Sequence, residues 1–536
     1  MRTSSSVLST GAAPFGNPDG ARESLDVLLD HFVDFAGDEG FGALATRADD
    51  LRARVIVGRM GSGKTVYLRR LQASAVSQGS VYADASQSDL PSTEAIVRTC
   101  QFFDRRDQVE MWRHIWSRCI TRTVAAHVLR RRELRDYLGA DLRAELGSYG
   151  HLIGGGRTAG TVYSHLSDML AEYDTKHQLV RYLGHPDWSD LLHFVRDAVP
   201  SLPPIVFCVD GVDESFAYAP MYWLPCQEGL FHAVMQWFKD QRIGGRLHVM
   251  ITIRDVVFSS VLRGEMASKY RGEPHVRVLD WDERSLRYLL RDKVNRLDGR
   301  YLTDPSASDP VVAWLGHHVI RNIARGRTER ILDYVLRHTR LIPRDLVEVG
   351  NALCGVVLRA KRADGRAPTQ ADIRSMVAAS AAAFGNDQIQ QCANQIRADL
   401  APETAGCHGY AEIYVGRHGY IRDEIVDQLR NGLLLLGTDR FDAASLAAAR
   451  DLLRQHFDDQ TDFATVLWQN GLLGFVGRRN GAEGTFFYSM GGMTDLQPPL
   501  SEREYVLHPC LIDAVGIRSV GAEPVTPHQL RWKAES

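Results

Sequence analysis

A glycine-rich stretch, "GRMGSGKT" at Gly58–Thr65, has residue types that bind phosphate. It lies between the apolar run "VIV" and a segment of helical character, which is the context in which the pattern GxxxxGK[ST] forms a phosphate-binding loop. Glycines let backbone N–H groups point into such a loop, and the next helix begins with partial positive charge. We therefore predict a nucleoside triphosphate site formed by Gly58, Arg59, Met60, Gly61, Ser62, Gly63, Lys64, Thr65 and Val66.

Within this loop, two side chains have distinct tasks. The Lys64 ammonium would neutralise the β and γ phosphates, and the Thr65 hydroxyl would ligate Mg²⁺. A third group is needed, because a phosphate loop works with an acid at the end of a neighbouring strand. The apolar run "IVFCV" ends at Asp210, which we predict to be the second protein group at the metal.

The string "DGVDE", Asp210–Glu214, resembles the extended acidic motif of NACHT-type members of the STAND class of P-loop NTPases, which are signal-transducing ATPases related to AAA+ proteins. The resemblance implies that Asp210 serves magnesium and that Asp213 or Glu214 serves hydrolysis as the base that activates water. Gly211 stands where many AAA+ proteins have a catalytic glutamate. The choice between Asp213 and Glu214 stays open.

Further resemblances concern the groups that would detect the γ phosphate. The run "VMITIRD" is similar to the sensor strand of this class, which implies that Thr252 and Arg254 lie at the γ phosphate or the attacking water. Arg254 could equally form an ion pair with Asp255 or Asp213.

The stretch "RHTRLIPRDLVEVGNAL" resembles the start of the lid helix in STAND, KAP-like and AAA+ proteins. The resemblance implies that Arg344, which follows Pro343 in the first turn, reaches back to the nucleotide. Arg263 and Arg271 are candidates for an arginine finger in a ring, although a solvated surface position is the favoured interpretation of both.

The order of elements predicts an α/β fold with a parallel sheet, because short apolar β-branched runs alternate with helical segments. Helical periodicity dominates about 100–200, which we interpret as an insertion, and it continues throughout 283–383. Helices followed by a two-stranded hairpin then indicate a winged helix. The predicted divisions are a disordered tail at 1–22, a P-loop ATPase domain at 23–285, a helical lid at 286–402, a winged helix at 403–525 and a tail at 526–536.

Composition limits the classes of partner. The chain has 536 residues and a formal net charge of −3, so its overall charge does not predict a nucleic-acid or membrane partner. Eight cysteines without a CxxC pair, with Cys208 in an apolar run, indicate a reducing cytoplasm. Histidines and cysteines do not fall at zinc spacing, and the lone His338 and His508 are expected to be packed or capping residues. No transmembrane segment is expected.

Three functional hypotheses follow. The first is a cytoplasmic switch that binds ATP and Mg²⁺, hydrolyses ATP slowly, forms a homo-oligomer on ATP binding and acts on an unknown protein effector. ATP is favoured over GTP because no guanine-reading string occurs. The layout resembles poorly characterised bacterial P-loop ATPases, some of them from antiphage defence islands, which implies a role in signalling or defence.

The other two hypotheses differ in the use of the nucleotide or of the winged helix. One is an initiator-like ATPase that binds DNA through Arg478 and Arg479 at the tip of the wing. Because Asp458, Asp459 and Asp462 precede the helix that would read DNA, we favour a winged helix that packs within the protein. The last is a scaffold that holds nucleotide without hydrolysing it.

Overall fold

The computed structural model describes residues 13–30, 32–33, 54–77, 81–84, 90–154, 159–211, 220–240, 242–243, 245–263, 267–270, 272–399, 425–454, 462–479, 482–488, 497–521 and 523–529. The chain divides into two compact units. The sheet unit comprises Glu39–Arg59 and Lys64–Leu279, and the carboxy-terminal unit comprises Met1–Asp38, Met60–Gly63 and Asp280–Ser536.

The sheet unit is built on five strands that pair in parallel, in the order β2-β3-β4-β1-β5. The predicted α/β fold with a parallel sheet is thereby confirmed. Every residue of β1, β3 and β4 is buried, as expected for strands with both faces covered. The strands are β1 Val55–Val57, β2 Val81–Asp84, β3 Ile205–Val209, β4 Leu247–Ile253 and β5 Val276–Val278.

The connections of this sheet run in opposite directions from β1 and β4, which are neighbours in the sheet. The chain leaves β1 towards β2 at one edge, whereas it leaves β4 towards β5 at the other edge. Because parallel crossovers are right-handed, connections that run in opposite directions lie on opposite faces of the sheet. Adjacent strands with this property mark the place where α/β proteins bind ligands, and the glycine-rich loop follows β1.

Helices fill the segment between β2 and β3, which we call the insertion, as the periodicity predicts. Its longest helix, Gln108–Arg130, is buried along most of its length and packs closely on Pro220–Lys239, where a Cβ at Gly229 would collide with Trp112. The helices of the insertion are Thr93–Gln101, Gln108–Arg130, Arg132–Arg135, Ala140–Ser148, Gly150–Ile153, Val162–Glu172, Lys176–Leu183 and Asp187–Ala198. The other helices of the sheet unit are Lys64–Ser77, Pro220–Lys239, Asp255–Val261 and Ala267–Tyr270.

The carboxy-terminal unit begins with helices, but the expectation of helix throughout 283–383 is wrong. A hairpin of β6 Val319–Asn322 and β7 Arg327–Arg330 interrupts them. Its turn contains Gly326 at φ +67°, and exposed and buried residues alternate along β6, which is the period of a strand. The helices before the second sheet are Leu25–Asp30, Glu283–Asn295, Pro310–Leu315, Ile331–Arg337, Pro343–Asp364 and Gln370–Asp399, and residues 425–436 are also helical.

A second sheet follows in the order β12-β10-β9-β11-β8. The predicted hairpin is present as the antiparallel pair β9 and β10, with three further strands beside it. One apolar core joins this sheet to Phe384 and Ile389 of helix Gln370–Asp399. The elements are β8 Arg440–Asp442, helix Ala443–Leu453, helix Phe463–Gln469, β9 Leu473–Arg479, β10 Ala482–Phe487, β11 Glu504–Leu507, helix Pro509–Val515 and β12 His528–Gln529.

Two helical glycines of this unit should respond oppositely to alanine. At Gly385 a Cβ would collide with the carbonyl of Cys510, so we expect Gly385→Ala to lower the free energy of unfolding by about 1–3 kcal/mol. At Gly355 a Cβ would meet only the flexible end of Arg359, so Gly355→Ala should raise it by about 0.5–1 kcal/mol through helix propensity. Urea unfolding of both variants measures this contrast, and equal effects of both substitutions would contradict it.

Within the described ranges, no helix has the length and apolar character needed to cross a bilayer. The seven described cysteines are buried and form no disulfide, and Cys208 lies in β3 with 3 % of its surface exposed. This confirms that Cys208 packs as a small apolar residue.

Candidate phosphate-binding site

The glycine-rich loop continues directly from β1. The Gly58 N–H donates to the Ile253 carbonyl at 3.2 Å, which extends the pairing of β1 with β4 by one residue, and helix Lys64–Ser77 begins six residues later. Gly61 and Gly63 have φ of +84° and +90°. These left-handed conformations are strained for other residues, so the two glycines are what allows the tight turn from strand to helix.

Lys64 lies at the first position of that helix with 7 % of its surface exposed. Its Nζ donates to the carbonyl oxygens of Gly58 at 3.1 Å and of Arg59 at 3.2 Å. The ammonium therefore lies inside the curve of the loop. Thr65 and Val66 occupy the first turn of the helix and are half-buried.

Two features of the loop fit a bound phosphate. Apart from Gly63 and its two chain neighbours, no atom of the described residues lies within 4 Å of the position that a Cβ of residue 63 would take, so the backbone faces open space there. The Ser62 hydroxyl is buried and has no hydrogen-bond partner among the described residues. Buried hydroxyls are nearly always hydrogen-bonded in proteins, so this group points to a missing acceptor or donor.

Asp210 directly follows β3 and lies beside the end of β4. Val209 pairs with Ile251, and the Thr252 hydroxyl donates to Asp210 Oδ1 at 2.5 Å. The Tyr163 hydroxyl, from the insertion, donates to the Asp210 carbonyl at 2.6 Å. Both the carboxylate and its backbone are thus fixed. Sequence reasoning found Asp210 and Thr252 separately but missed Tyr163, because no motif marks it.

Gly211 is buried and has φ of +81°. A glutamate at this position would be strained, which gives a physical reason why the residue after Asp210 is glycine rather than an acid. The proposed bases Asp213 and Glu214 lie outside the described residues, so their role stays a prediction.

The arginine candidates of the sheet unit have different surroundings. Arg254 occupies the N-cap position of helix Asp255–Val261 without a side-chain capping hydrogen bond, and it is half-buried. The buried Asp255 pairs with Arg59 of the loop, with 3.5 Å between Nε and Oδ2. Arg263 is exposed and its Nε donates to the Ser259 carbonyl at 3.4 Å, whereas Arg271 lies outside the described residues.

The loop residues Met60–Gly63 belong to the carboxy-terminal unit, and two residues of that unit donate hydrogen bonds to them. The Arg344 backbone N–H donates to the Gly61 carbonyl at 3.2 Å, and the Trp281 indole N–H donates to the Ser62 carbonyl at 2.8 Å. A Cβ at Gly61 would lie 2.9 Å from Ile342 Cδ1, so no side chain fits there. These donors hold two carbonyl groups of the loop.

The Arg344 guanidinium contacts the amino-terminal segment, where its Nε donates to the Pro18 carbonyl at 3.4 Å. Phe15 in that segment is buried, its N–H donates to Asn351 Oδ1 at 2.8 Å, and Asn351 Nδ2 donates to the Gly16 carbonyl at 3.1 Å. The expectation that 1–22 is a disordered tail is therefore wrong for 13–22. A single buried aromatic ring in a glycine- and proline-rich stretch gave no periodic pattern from which this could be inferred.

The lone histidines behave as predicted. His338 is buried with its Nδ1 2.6 Å from the Tyr334 carbonyl, and His508 caps helix Pro509–Val515 by accepting from the Cys510 N–H at 3.2 Å. Both are packed or capping residues.

Removing the Trp281 hydrogen bond tests whether this indole shapes the loop. We expect Trp281→Phe to weaken MgATP binding about three- to tenfold, because it leaves the Ser62 carbonyl without this donor and loosens the loop by about 1 kcal/mol. Titration calorimetry measures the affinity. Trp314→Phe, at a fully buried indole that packs on Phe15 in the same unit, controls for loss of core volume. Equal losses of affinity in both variants would contradict a specific role of Trp281.

Comparisons with known proteins do not add a family to this geometry: no family model, curated protein or solved structure matches the chain.

Proposed function

We propose that this chain is a switch that binds ATP with Mg²⁺ and hydrolyses it slowly. The observation that carries the proposal is the position of Lys64, whose buried ammonium lies inside a glycine loop between a parallel strand and a helix. A buried cation at a helix amino terminus is suited to a polyanion. Together with the open backbone at Gly63 and the buried hydroxyl of Ser62, it fits a triphosphate better than a neutral ligand.

Each residue of the proposed site has a separate role. Lys64 supplies positive charge for the phosphate oxygens, and Thr65 and Asp210 are the proposed holders of Mg²⁺, which when bound neutralises charge that develops on the β and γ phosphates. The Thr252 hydroxyl keeps the Asp210 carboxylate in one orientation. Asp213 or Glu214 is the proposed base, and Arg254 and Arg344 are proposed to detect the γ phosphate.

In the proposed switch, a change at the nucleotide alters the hydrogen bonds that the loop carbonyl groups accept. Arg344 and Trp281 donate hydrogen bonds to the carbonyl groups of Gly61 and Ser62, so a change in loop conformation changes those bonds. A ligand shifts a conformational equilibrium only through contacts that differ between the two states. In this proposal these hydrogen bonds are such contacts, and the one from Arg344 connects the loop to helix Pro343–Asp364, the proposed lid.

The switch can be tested by gel filtration and hydrogen exchange with and without MgATP, in the native protein and in Lys64→Ala. We expect MgATP to raise amide protection at the start of helix Pro343–Asp364 and to shift the native protein to an oligomer, while leaving the variant unchanged. Identical elution and exchange of the native protein in both conditions would contradict a switch.

The burial of helix Phe463–Gln469 bears on the DNA hypothesis. Six of its seven residues, Phe463–Trp468, are buried, whereas a helix that reads the major groove must expose a face. Asp462 caps the helix and pairs with Arg450. These contacts support a winged helix that packs within the protein over one that binds DNA.

Substitution of the proposed bases distinguishes the scaffold hypothesis from the switch hypothesis. Asp213→Asn with Glu214→Gln would leave the function of a scaffold intact but would trap a hydrolysing switch in its ATP-bound state. A cytoplasmic location and a role in bacterial signalling or antiphage defence remain part of the proposal and rest on the sequence resemblance.

A further inference from the structure

Two histidines and an aspartate meet on the surface of the insertion. His151 lies in the short helix Gly150–Ile153, His185 precedes helix Asp187–Ala198, and Asp187 is its first residue. One ligand atom from each lies within 4.8 Å of the others. Nε2 of His151 is 3.1 Å from Asp187 Oδ2, and Nδ1 of His185 is 3.7 Å from Asp187 Oδ1.

These separations are close to those of a metal site. Ligand atoms about 2.1 Å from a tetrahedral ion are about 3.4 Å from one another, so only small side-chain rotations would be needed to enclose one. The Asp187 N–H donates to His185 Nδ1 at 3.4 Å, a long hydrogen bond that an ion bound to the same nitrogen would replace. The His151 and His185 rings are 5.2 Å apart.

The backbone that carries the three side chains is held by buried contacts. The Tyr182 hydroxyl donates to the Leu152 carbonyl at 3.2 Å, next to His151. The fully buried Trp188, next to Asp187, donates from Nε1 to the Tyr182 carbonyl at 2.8 Å. The two halves of the cluster, 34 residues apart from His151 to His185, are thus already positioned, so a metal ion would not have to pay the cost of ordering them.

The three side chains of the cluster lie at the surface of the insertion. Between 38 % and 47 % of each of the three side chains is exposed, so water can reach the site and complete the coordination.

We propose that His151, His185 and Asp187 bind a divalent transition-metal ion of the zinc class. Two imidazoles and one carboxylate form a donor set that suits Zn²⁺, Co²⁺ or Ni²⁺ rather than Mg²⁺ or Ca²⁺, which prefer oxygen ligands. With three protein ligands, one position stays open to water. The ion would cross-link helix Gly150–Ile153 to the start of helix Asp187–Ala198 and stabilise the insertion. Spacing alone does not reveal the site, because tertiary structure brings its halves together.

The test is titration of the full chain, freed of metal by a chelator and without nucleotide, with Zn²⁺ in a calorimeter. We expect one equivalent to bind. Loss of an outer-shell partner costs a metal site about 10–100-fold in affinity, so His151→Gln, His185→Gln and Asp187→Asn should each cost at least that much. His177→Gln, at an exposed histidine of the same insertion, should bind as the native chain does.

Two further readouts make the result decisive. Co²⁺ should give a visible d–d spectrum with the native chain and with Lys64→Ala, which separates this site from the nucleotide site, but not with His151→Gln. Zn²⁺ should raise the thermal midpoint of the native chain and not that of the ligand variants. Far-UV circular dichroism verifies that the variants fold. Absence of stoichiometric Zn²⁺ binding, or equal affinity in the native chain and all three ligand variants, would overturn the proposal.

Discussion

Lys64→Ala is expected to lower the affinity for MgATP by at least about a hundredfold. The substitution removes a cation with 7 % exposure whose Nζ lies within hydrogen-bond distance of two loop carbonyls. Hydrogen bonds to charged groups contribute about 1.5–3 kcal/mol each, and each 1.4 kcal/mol corresponds to a factor of ten in affinity. Calorimetric titration with MgATP measures the loss.

The matched control is Lys269→Ala, which removes an exposed lysine of the same unit and should leave the affinity unchanged. Urea unfolding of Lys64→Ala shows whether the loop still folds without the ammonium. An affinity within threefold of the native value, in a folded variant, would contradict a phosphate-binding role of Lys64.

Asp210→Asn is expected to lower the rate of ATP hydrolysis by at least about a hundredfold while ATP still binds. The amide keeps the shape of the side chain and can still accept from the Thr252 hydroxyl, so the end of β3 should stay in place. It lacks the charge that holds a divalent ion, whose stabilisation of transition-state charge is worth several kcal/mol. Steady-state phosphate release across a range of Mg²⁺ concentrations measures the effect.

For Asp210→Asn the control is Asp104→Asn, at an exposed acid of the insertion, which should hydrolyse ATP at the native rate. Part of the lost rate should return at high Mg²⁺ if Asp210 acts by holding the ion. A hydrolysis rate unchanged by Asp210→Asn at every Mg²⁺ concentration would exclude that role.

Local patterns predicted the sheet unit because its strands are continuous apolar runs. β3 and β4 are buried at every position and rich in β-branched residues. The spacing of glycine, lysine and threonine in the loop is set by the backbone geometry of the loop itself, so it is visible in the sequence. Parallel strands end at the same edge of a sheet, and the register of β3 and β4 brings Asp210 to Thr252. The fold of this part of the site is therefore inferable without a structure.

Local sequence patterns did not predict elements that are very short or contacts that depend on single residues. β6 and β7 have four residues each, and the helices on both sides extended the helical interpretation over them. The contact of Trp281 with Ser62 joins residues that are 219 positions apart, and nothing near either residue indicates the other. Phe15 is a lone buried ring, and the His151, His185 and Asp187 cluster depends on how helices pack. Contacts of this kind come from tertiary structure.

The most direct measurement is equilibrium binding of a radiolabelled or fluorescent ATP to the purified full chain with Mg²⁺ present, with competition by unlabelled ATP and GTP. We expect saturable binding at one site per chain, displaced by ATP and abolished by Lys64→Ala. Failure of the folded native chain to bind ATP at millimolar concentration would contradict the assignment of Gly58–Val66 as a phosphate-binding loop.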